Sequence, residues 1–554
     1  MCGIAGLLGR DDRALVARMC DRIAHRGPDG SGVWSDAQVT LGHRRLAIID
    51  VATGQQPMQD ASGRLTITYN GEVYNHLALR GELEAAGARF RTHSDTEVIL
   101  EGYRLWGPRV LERLEGMFAF ALWDGQRREL FVARDPWGIK PFHYAFTGKP
   151  GAFTPSGDFL FASEAKALFA HEALRPRPDL DAFREQAVLE FLTGTRTLFA
   201  GVRQLPPSTW AMVRPGDRQL APQTYQPFTA TRLESPDEAA RSLRDRLTES
   251  VREQLMSEVP LGVILSGGLD SAAVAALHQG MSERPIATFT IAEGEEVEDV
   301  KAARRLAGHL GTDHHEATFG LDDLLRDLPL HAWHNENVNY TEFFFFPLFR
   351  MMKRHVTVGL CGQGSDELWG GYARYQDPHA LAAERMRRLR TARPADATLS
   401  DTILRQHASG AELAKWDQGA QLANFQLRLV DRNSMAFGVE VRVPFLSRPQ
   451  QALSDATPWE WKVRDGIEKW VLRRAAEPFL PKDLAWRKKV PAGRATAPRL
   501  MQEFESYAAR LRPDHAAHPA GELATGADRL LLSLWTEVFV HGARPESVSL
   551  EALA

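Results

Sequence analysis

The sequence predicts two domains of different class, an amino-terminal α+β part built on antiparallel sheet and a carboxy-terminal α/β part built on parallel sheet. Three observations carry this reading. The chain has 554 residues, room for two to four domains of roughly 100–200 residues each. In its first third, short β-type runs end at Asx-Gly pairs, the spacing of hairpins. From Pro236 onward, apolar strands run into Ser/Gly-rich loops and then into helices, the pattern of a parallel sheet with anion chemistry at its strand ends.

The amino-terminal strands are Leu65–Tyr69, ending at Asn70-Gly71; Met117–Trp123, ending at Asp124-Gly125; and Leu130–Ala133, running into Arg134-Asp135-Pro136. Ser94-Asp95-Thr96-Glu97 reads as a helix start with an acidic capping box, followed by Val98, Ile99 and Tyr103 at helical spacing. Residues 204–236, rich in Pro, Gln, Thr and Arg, read as a linker or edge extension. Helical patterns over Asp237–Glu258, Ser271–Gly280 and Val300–Gly311 then alternate with strands Gly262–Leu265, Ala287–Ile291 and Val356–Leu360. After Leu381 the pattern is mostly helical; Arg512–Pro519 looks loose and an amphipathic helix near Asp528–Val540 follows. The expected division is therefore 1–203, a linker over 204–236, 237–511 and a tail over 512–554.

Composition narrows the function. The chain is 44% hydrophobic and 25% charged, with 67 Lys+Arg against 71 Asp+Glu and a formal net charge of −4. That balance argues against nucleic acid as a partner. Cys2, Cys20 and Cys361 form no CxxC pair, which rules out a disulfide framework and a cysteine zinc cluster. No run reaches the ~18 apolar residues of a membrane span, and the amino terminus lacks the basic flank and long apolar core of a signal peptide. A soluble cytoplasmic protein is expected.

Cys2 directly follows Met1. Removal of the methionine leaves a thiol and an α-amine on one residue, and an amine of pKa about 8 can take the thiol proton without a separate histidine. Position two alone is weak evidence. It gains weight from its company: His25-Arg26-Gly27-Pro28-Asp29-Gly30, Gly42-His43-Arg44-Arg45-Leu46, Tyr69-Asn70-Gly71-Glu72-Val73-Tyr74-Asn75 and Ser94-Asp95. Together these resemble the glutaminase domain of N-terminal-nucleophile (class II) glutamine amidotransferases, over essentially residues 1–200. The resemblance implies a four-layer αββα sandwich with Cys2 as nucleophile. It also implies Arg45 as a guanidinium fork for the glutamine carboxylate, Asp95 as counter-charge for its ammonium, and Glu72 as help at the amino end. The Asn70 side-chain NH and the Gly71 backbone NH are then the oxyanion hole, with Gly71 letting the backbone come close. Taken singly, Asn70-Gly71 is an ordinary hairpin turn and Arg45 a surface charge.

Val263-Ile264-Leu265-Ser266-Gly267-Gly268-Leu269-Asp270-Ser271 is an apolar strand, a glycine turn and a helix start, a ready anion nest. It is no Walker A loop, since GxxxxGK[ST] is absent. It resembles the pyrophosphate loop of ligases that split ATP into AMP and pyrophosphate. Leu265, Ser266, Gly267, Gly268 and Ser271 then grip the nucleotide, and Asp270 holds Mg2+. A second loop, Cys361-Gly362-Gln363-Gly364-Ser365-Asp366-Glu367-Leu368-Trp369-Gly370-Gly371-Tyr372, resembles the S-G-E-G-S-D-E-x-F-G-G-Y loop of asparagine synthetases. Asp366 is then the second magnesium carboxylate, Cys361 and Gly362 lie beside the adenylate, and Gln363, Ser365 and Glu367 belong to the acceptor region. Thr290 and Ile291 face the adenine. Val439–Leu446 and Lys469-Trp470-Val471-Leu472-Arg473 extend the match, with Lys469 on the phosphates. Trp486-Arg487-Lys488-Lys489 is a further family-like basic cluster that would otherwise read as surface.

With both halves present, the chain resembles a glutamine-hydrolysing asparagine synthetase. The implied substrates are glutamine, ATP and a carboxylic acid, aspartate foremost, with Mg2+ and with a homodimer as an allowed assembly. Two departures bear on the acceptor. Gln363 stands where the family has Glu, and an amide accepts no proton near neutral pH. Asn337–Pro347, with Phe343-Phe344-Phe345-Phe346, is more aromatic than its counterpart; core packing is expected for at least two of these rings. Another acceptor carboxylate, a β-lactam-synthetase-like cyclase and a non-catalytic regulator stay open as alternatives. Cys2, Arg45, Asn70 and Asp95 together argue against the cyclase. His314-His315 and the other histidines lack ligand partners in sequence and read as solvated or packed.

Overall fold

The computed structural model describes residues 2–148, 157–225, 233–339, 343–392, 397–489, 499–511, 519 and 521–553. Twelve strands form the amino-terminal part: β1 (Gly3–Leu8), β2 (Gly30–Asp36), β3 (Val39–Arg45), β4 (Met58–Gln59), β5 (Leu65–Val73), β6 (Gly116–Asp124), β7 (Glu129–Arg134), β8 (His143–Phe146), β9 (Phe159–Ala162), β10 (Arg203–Gln204), β11 (Thr209–Val213) and β12 (Gln223–Thr224). They make two antiparallel sheets, ordered β10-β8-β9-β1-β3-β2 and β12-β11-β7-β6-β5-β4.

Alternation along the strands stacks these sheets into layers. Helix α1 (Arg13–Asp21) lays Leu15, Val16, Met19 and Cys20 beside Ala5 and Leu7 on the outer face of the first sheet. Ala119, Ala121 and Trp123 of β6 join Ile4, Leu8, Val39 and Leu41 in a core between the sheets. The intervening Phe118, Phe120 and Leu122 point the other way, onto α2 (His76–Ala85) and α3 (Asp95–Trp106), where they meet Leu79, Leu83, Val98, Ile99 and Tyr103. The result is a four-layer αββα sandwich.

Local chemistry differs from expectation at three points. Asn70-Gly71 is no turn: β5 continues to Val73, and the two residues pair with Ala119 and Phe118 of β6. A side chain at Gly71 would run into the Met117 carbonyl and lie 2.8 Å from the Phe118 Cα. Glycine there serves the close approach of two strands. Ser94 caps α3, accepting from the Thr96 N–H at 3.2 Å, but the box is not completed. Glu97 instead accepts the N–H groups of Arg91 and Thr92, at 3.0 and 2.8 Å. The stretch expected as linker or edge extension carries β11 and β12 at the edge of the second sheet; residues 226–232 within it lie outside the described residues.

The carboxy-terminal part holds a five-stranded parallel sheet ordered β15-β14-β13-β16-β17, from β13 (Leu261–Ile264), β14 (Ala287–Ala292), β15 (Asp313–Thr318), β16 (Val358–Leu360) and β17 (Glu440–Arg442). Helices Leu269–Gly280 and Glu298–Leu310 follow β13 and β14. Because β13 and β16 are neighbours, the loops that follow them emerge side by side at the carboxyl edge of the sheet, where such folds bind ligands. Part of the stretch expected to be loose, 512–518, lies outside the described residues. The helix Gly526–Trp535 follows and is continued by a π-helical turn over Thr536–Val540. Among the described residues no helix is long and apolar enough to cross a membrane.

The two parts meet across a buried ionic seam. Arg26, with 0% exposure, donates from Nη1 to Glu164 at 2.8 Å and to Asp431 at 2.9 Å, and from Nη2 to Asp431 at 3.1 Å. Glu164 also pairs with Lys166 and, at 3.1 Å, with Arg432. Arg432 donates to Glu336 at 2.9 Å, and Glu336 accepts the N–H groups of Ala165 and Lys166 at 3.0 and 2.6 Å. Burial opposes ionisation of Glu164, yet Lys166, His25 and Arg432 hold its carboxyl well below the usual range. Removing one partner of such a set leaves a charge buried without compensation. Asp431→Ala is expected to cost about 3 kcal/mol and to lower the thermal midpoint in calorimetry; an unchanged midpoint would show that the seam carries no stability.

Candidate active sites

Cys2 lies directly before β1 and is 9% exposed. Its N–H donates to Asn70 Oδ1 at 2.9 Å, and its Sγ sits 3.9 Å from the Leu46 carbonyl oxygen. The other end of the same amide, Asn70 Nδ2, is buried and has no hydrogen-bond partner among the described residues. A buried donor left unpaired is costly unless something completes it, so this NH2 is available to an oxygen that arrives next to the sulfur. Burial pushes the Cys2 thiol up, which means that it rests protonated until a base takes the proton.

Two carboxylates accompany the thiol. Asp95, at the start of α3, accepts the Tyr69 hydroxyl at 2.8 Å and the Val73 N–H at 2.9 Å. Glu72 leaves Oε2 buried and without a hydrogen-bond partner among the described residues, while its Oε1 is 3.7 Å from Arg442 of β17. Burial raises both carboxyls, and for Glu72 the nearby Glu440 and Asp95 add to it. Arg45, the last residue of β3, is half-buried and lines a cavity of ≈ 560 Å³ together with Asp29, His43, Leu46 and Gln56. Its guanidinium is already engaged on one side, with the carbonyls of Val51 at 2.9 Å and Asp50 at 2.6 Å. Cys2, Arg45, Asn70, Gly71, Glu72 and Asp95 thus come from β1, β3, β5 and α3 of one sandwich.

The second centre lies at the carboxyl edge of the parallel sheet. Ser266 and Ser271 close the first loop, with their hydroxyls 3.0 Å apart and the Ser266 N–H donating to Ser271 Oγ at 3.1 Å. The Leu265 N–H joins this loop to β14 through the Phe289 carbonyl, at 2.8 Å, and Ile291, the next-to-last residue of that strand, is buried. The second loop starts at Cys361, whose N–H donates to the Arg442 carbonyl at 2.9 Å. A Cβ at Gly362 would lie 2.7 Å from the Asp270 Cβ, so glycine is what allows the two loops to touch. Ser365 Oγ donates to Asp270 Oδ1 at 2.8 Å. Gln363 is half-buried beside them, whereas Glu367 faces away, its Oε1 accepting the Tyr372 hydroxyl at 2.9 Å.

Asp270 and Asp366 converge on one cation, Lys469 Nζ, at 2.6 Å each, and Lys489 adds a second ion pair to Asp366. Lys469 is 2% exposed and left-handed, φ 54°, immediately before the helix Trp470–Ala476. A non-glycine residue in that conformation is strained, and such strain persists where the surroundings over-determine it. Two carboxylates held around one positive point, with hard oxygen donors, suit a divalent cation that takes its other ligands from water and phosphate. These are the residues that could hold Mg2+. The paired lysines and the glycine loop beside them suit phosphate oxygens.

The basic cluster that reads as surface in isolation belongs to this site. Arg487 donates to the Gly267 carbonyl at 2.7 Å and to Asp299 at 2.8 Å, which fixes the first loop from outside. Arg473 holds the carbonyls of Ala485 and Arg487 at 2.9 and 2.8 Å, carrying that segment on the same helix that Lys469 precedes. The aromatic run is core: Phe343, Phe345 and Phe346 are buried and Phe344 is half-buried. Phe343 and Phe346 pack around His331. Tyr340, Thr341 and Glu342 lie outside the described residues. His314 contacts Thr288 at 2.8 Å, and His315 stacks between Phe289 and His355.

An antiparallel sandwich with a buried thiol at its second residue, joined to a parallel sheet with paired acids at its glycine loops, is the architecture of a glutamine amidotransferase coupled to a synthetase. The family comparisons agree. Residues 1–226 match the family model of the glutamine amidotransferase domain and residues 242–549 that of asparagine synthase. The chain is 32% identical to the glutamine-hydrolysing asparagine synthetase 3 of Bacillus subtilis, over 89% of this chain and 86% of that protein. Identity to synthetase 1 of the same organism is 30%, over 88% and 86%, and to synthetase 2 of Arabidopsis thaliana it is 32%, over 88% and 78%. The chain belongs to the glutamine-hydrolysing asparagine synthetase family.

The contact of Gly362 with Asp270 makes a direct prediction. Gly362→Ala pushes the two loops apart at the paired acids, and a displacement of about 1 Å in such a site costs roughly a hundredfold in turnover. ATP-dependent turnover is expected to fall by that order while glutamine hydrolysis stays as in the parent enzyme. Equal losses in both activities would mean that the substitution damages the fold.

Proposed function

We propose that Cys2 hydrolyses glutamine and that the parallel-sheet centre adenylates a carboxylic acid, which the released ammonia converts to an amide. The observation that carries this reading is a pair of buried groups near Cys2 that lack a hydrogen-bond partner among the described residues, Asn70 Nδ2 and Glu72 Oε2. One is a donor suited to a developing oxyanion, the other an acceptor suited to an ammonium.

Once Met1 is removed, the α-amine of Cys2 takes the thiol proton and the sulfur attacks the side-chain carbonyl of glutamine, forming a tetrahedral intermediate. Asn70 Nδ2 and the Gly71 N–H stabilise its oxyanion. Arg45 holds the substrate carboxylate from the cavity, and Asp95 with Glu72 holds its ammonium. Collapse, with the Cys2 α-ammonium passing its proton to the departing nitrogen, expels ammonia and leaves a γ-glutamyl thioester, which water then cleaves. At the other centre Ser266, Gly267, Gly268 and Ser271 grip the pyrophosphate portion of ATP, Leu265 and Ile291 border the adenine, and Cys361 and Gly362 lie along the nucleotide. Asp270 and Asp366 would hold Mg2+, which neutralises phosphate charge when bound. Lys469 balances the charge that develops as the acid's oxygen attacks the α-phosphorus and pyrophosphate leaves. AMP is then displaced by ammonia, a better outcome than direct attack because a carboxylate oxygen is a poor leaving group. Passage inside the protein keeps ammonia from becoming ammonium, which has no lone pair to attack with.

Aspartate is the acceptor that family membership supports best. Gln363 favours a second reading, in which the same machinery amidates another carboxylate, because an amide at that position cannot accept the proton a carboxylate could. The aromatic run gives that reading no support, since its rings are packed in the core.

Cys2→Ala is expected to abolish glutamine-dependent amide formation and to leave turnover with added ammonium salts; loss of both would contradict two separate centres. Asp270→Asn should eliminate pyrophosphate release, and chelation of divalent cations should do the same without affecting glutamine hydrolysis. A release screen over carboxylic acids with ATP and glutamine identifies the acceptor: strongest release with aspartate supports the first reading, and strongest release with another acid the second.

A further inference from the structure

The loop that follows Arg45 is held from two sides. On one side its carbonyls at Asp50 and Val51 take the Arg45 guanidinium, at 2.6 and 2.9 Å. On the other, its N–H groups at Asp50 and Val51 point to a single carboxylate of the opposite half, Glu258, at 2.7 and 3.2 Å. The Glu258 N–H returns a bond to the Ile48 carbonyl at 3.0 Å. Successive N–H groups turned to one side form a small anion nest, and the left-handed backbone at Asp50, φ 49°, is what turns them. The Asp50 side chain secures this turn by accepting from Thr53 N and His93 N, at 3.0 and 2.9 Å.

An apolar joint runs alongside. Leu46, Ile48 and Ile49 pack with Val259, Leu261, Val358 and Met435 of the synthetase part. Leu46 is also the residue whose carbonyl faces the Cys2 sulfur. The cavity that Arg45 lines is lined also by Val259, Lys353 and Thr357. Both halves therefore contribute to the cavity beside Arg45, and the loop that holds this arginine rests on a carboxylate three residues before β13.

We propose that Glu258 is a positioning residue for glutamine: it fixes the Ile48–Val51 loop, and through the loop carbonyls the direction of the Arg45 guanidinium, so that glutamine affinity is set from the synthetase side. This rests on the assignment of Arg45 to the glutamine carboxylate. Glu258 touches neither substrate nor sulfur. Loss of its two charge-assisted bonds frees the loop to turn, and the guanidinium with it, while the thiol and Asn70 stay in place.

The test is steady-state glutamine hydrolysis by the full chain carrying Glu258→Ala, Glu258→Gln or Glu258→Asp. Ammonia-driven pyrophosphate release is measured on the same preparations. Glu258→Ala is expected to raise the KM for glutamine about tenfold, the loss of one to two charge-assisted hydrogen bonds, with kcat within about twofold and ammonia-driven release unchanged. Glu258→Gln, nearly isosteric, should fall between, and Glu258→Asp should recover part of the affinity. An unchanged KM in Glu258→Ala overturns the proposal, and so does a parallel fall in kcat and in ammonia-driven release, which would mean a structural role only. Wild-type protein and Cys2→Ala, assayed alongside, separate the two levels. Absence of Cys2-dependent hydrolysis in the wild type removes the glutaminase assignment itself and this proposal with it.

Discussion

Charge buried between the two parts of the chain determines how this enzyme is put together. Arg26, Lys166 and Arg432 face Glu164, Glu336 and Asp431 with almost no solvent contact. Each ion alone would cost several kcal/mol to desolvate, so the set is tolerable only when all of its members are in register. Register here means one relative placement of the sandwich and the parallel-sheet part, because Arg26, Glu164 and Lys166 belong to the first and Glu336, Asp431 and Arg432 to the second. Arg26 extends the constraint to Cys2 by donating from Nε to its carbonyl at 3.2 Å.

A second buried set repeats the device closer to the sulfur. Arg442 of β17 pairs with Glu440 at 2.6 Å, approaches Glu72 at 3.7 Å, and donates to the carbonyls of Gln254 and Met256 at 2.7 and 2.6 Å. Its own carbonyl holds Cys361, the first residue of the second loop. One residue thus approaches Glu72 of the sandwich with its side chain and holds Cys361 of the parallel-sheet part with its backbone.

The local chemistry of both centres is legible in the sequence because it is written in contiguous motifs. Ser266–Ser271 has to be a glycine loop after a strand, and β13 delivers it at the sheet edge. Asn70-Gly71 is misleading as a fold signal: the same dipeptide that makes hairpin turns sits here inside a ladder, where glycine leaves no side chain against Met117 and Phe118. What the sequence hides is the set of partners far apart along the chain. Arg26 and Asp431 are 405 positions apart, Lys469 and Asp270 are 199 apart, and Arg487 and Gly267 are 220 apart. No periodicity links such pairs, and a cluster such as Trp486–Lys489 has the composition of a solvated face until the fold brings Arg487 and Lys489 to the loops. Glu258 is the extreme case, one acid at the end of an amphipathic segment, with its role visible only in the loop it meets.

Transfer of nitrogen through the interior is the claim on which the coupled reaction stands, and isotope competition addresses it directly. The enzyme is run with glutamine labelled with 15N in the side-chain amide, in the presence of unlabelled ammonium in the medium, and the amide product is analysed by mass spectrometry. Internal transfer predicts product enrichment close to that of the glutamine, well above the ratio of labelled to unlabelled ammonia in bulk solution. Enrichment that simply follows the bulk ratio would contradict it, because the ammonia would then have left one centre before reaching the other.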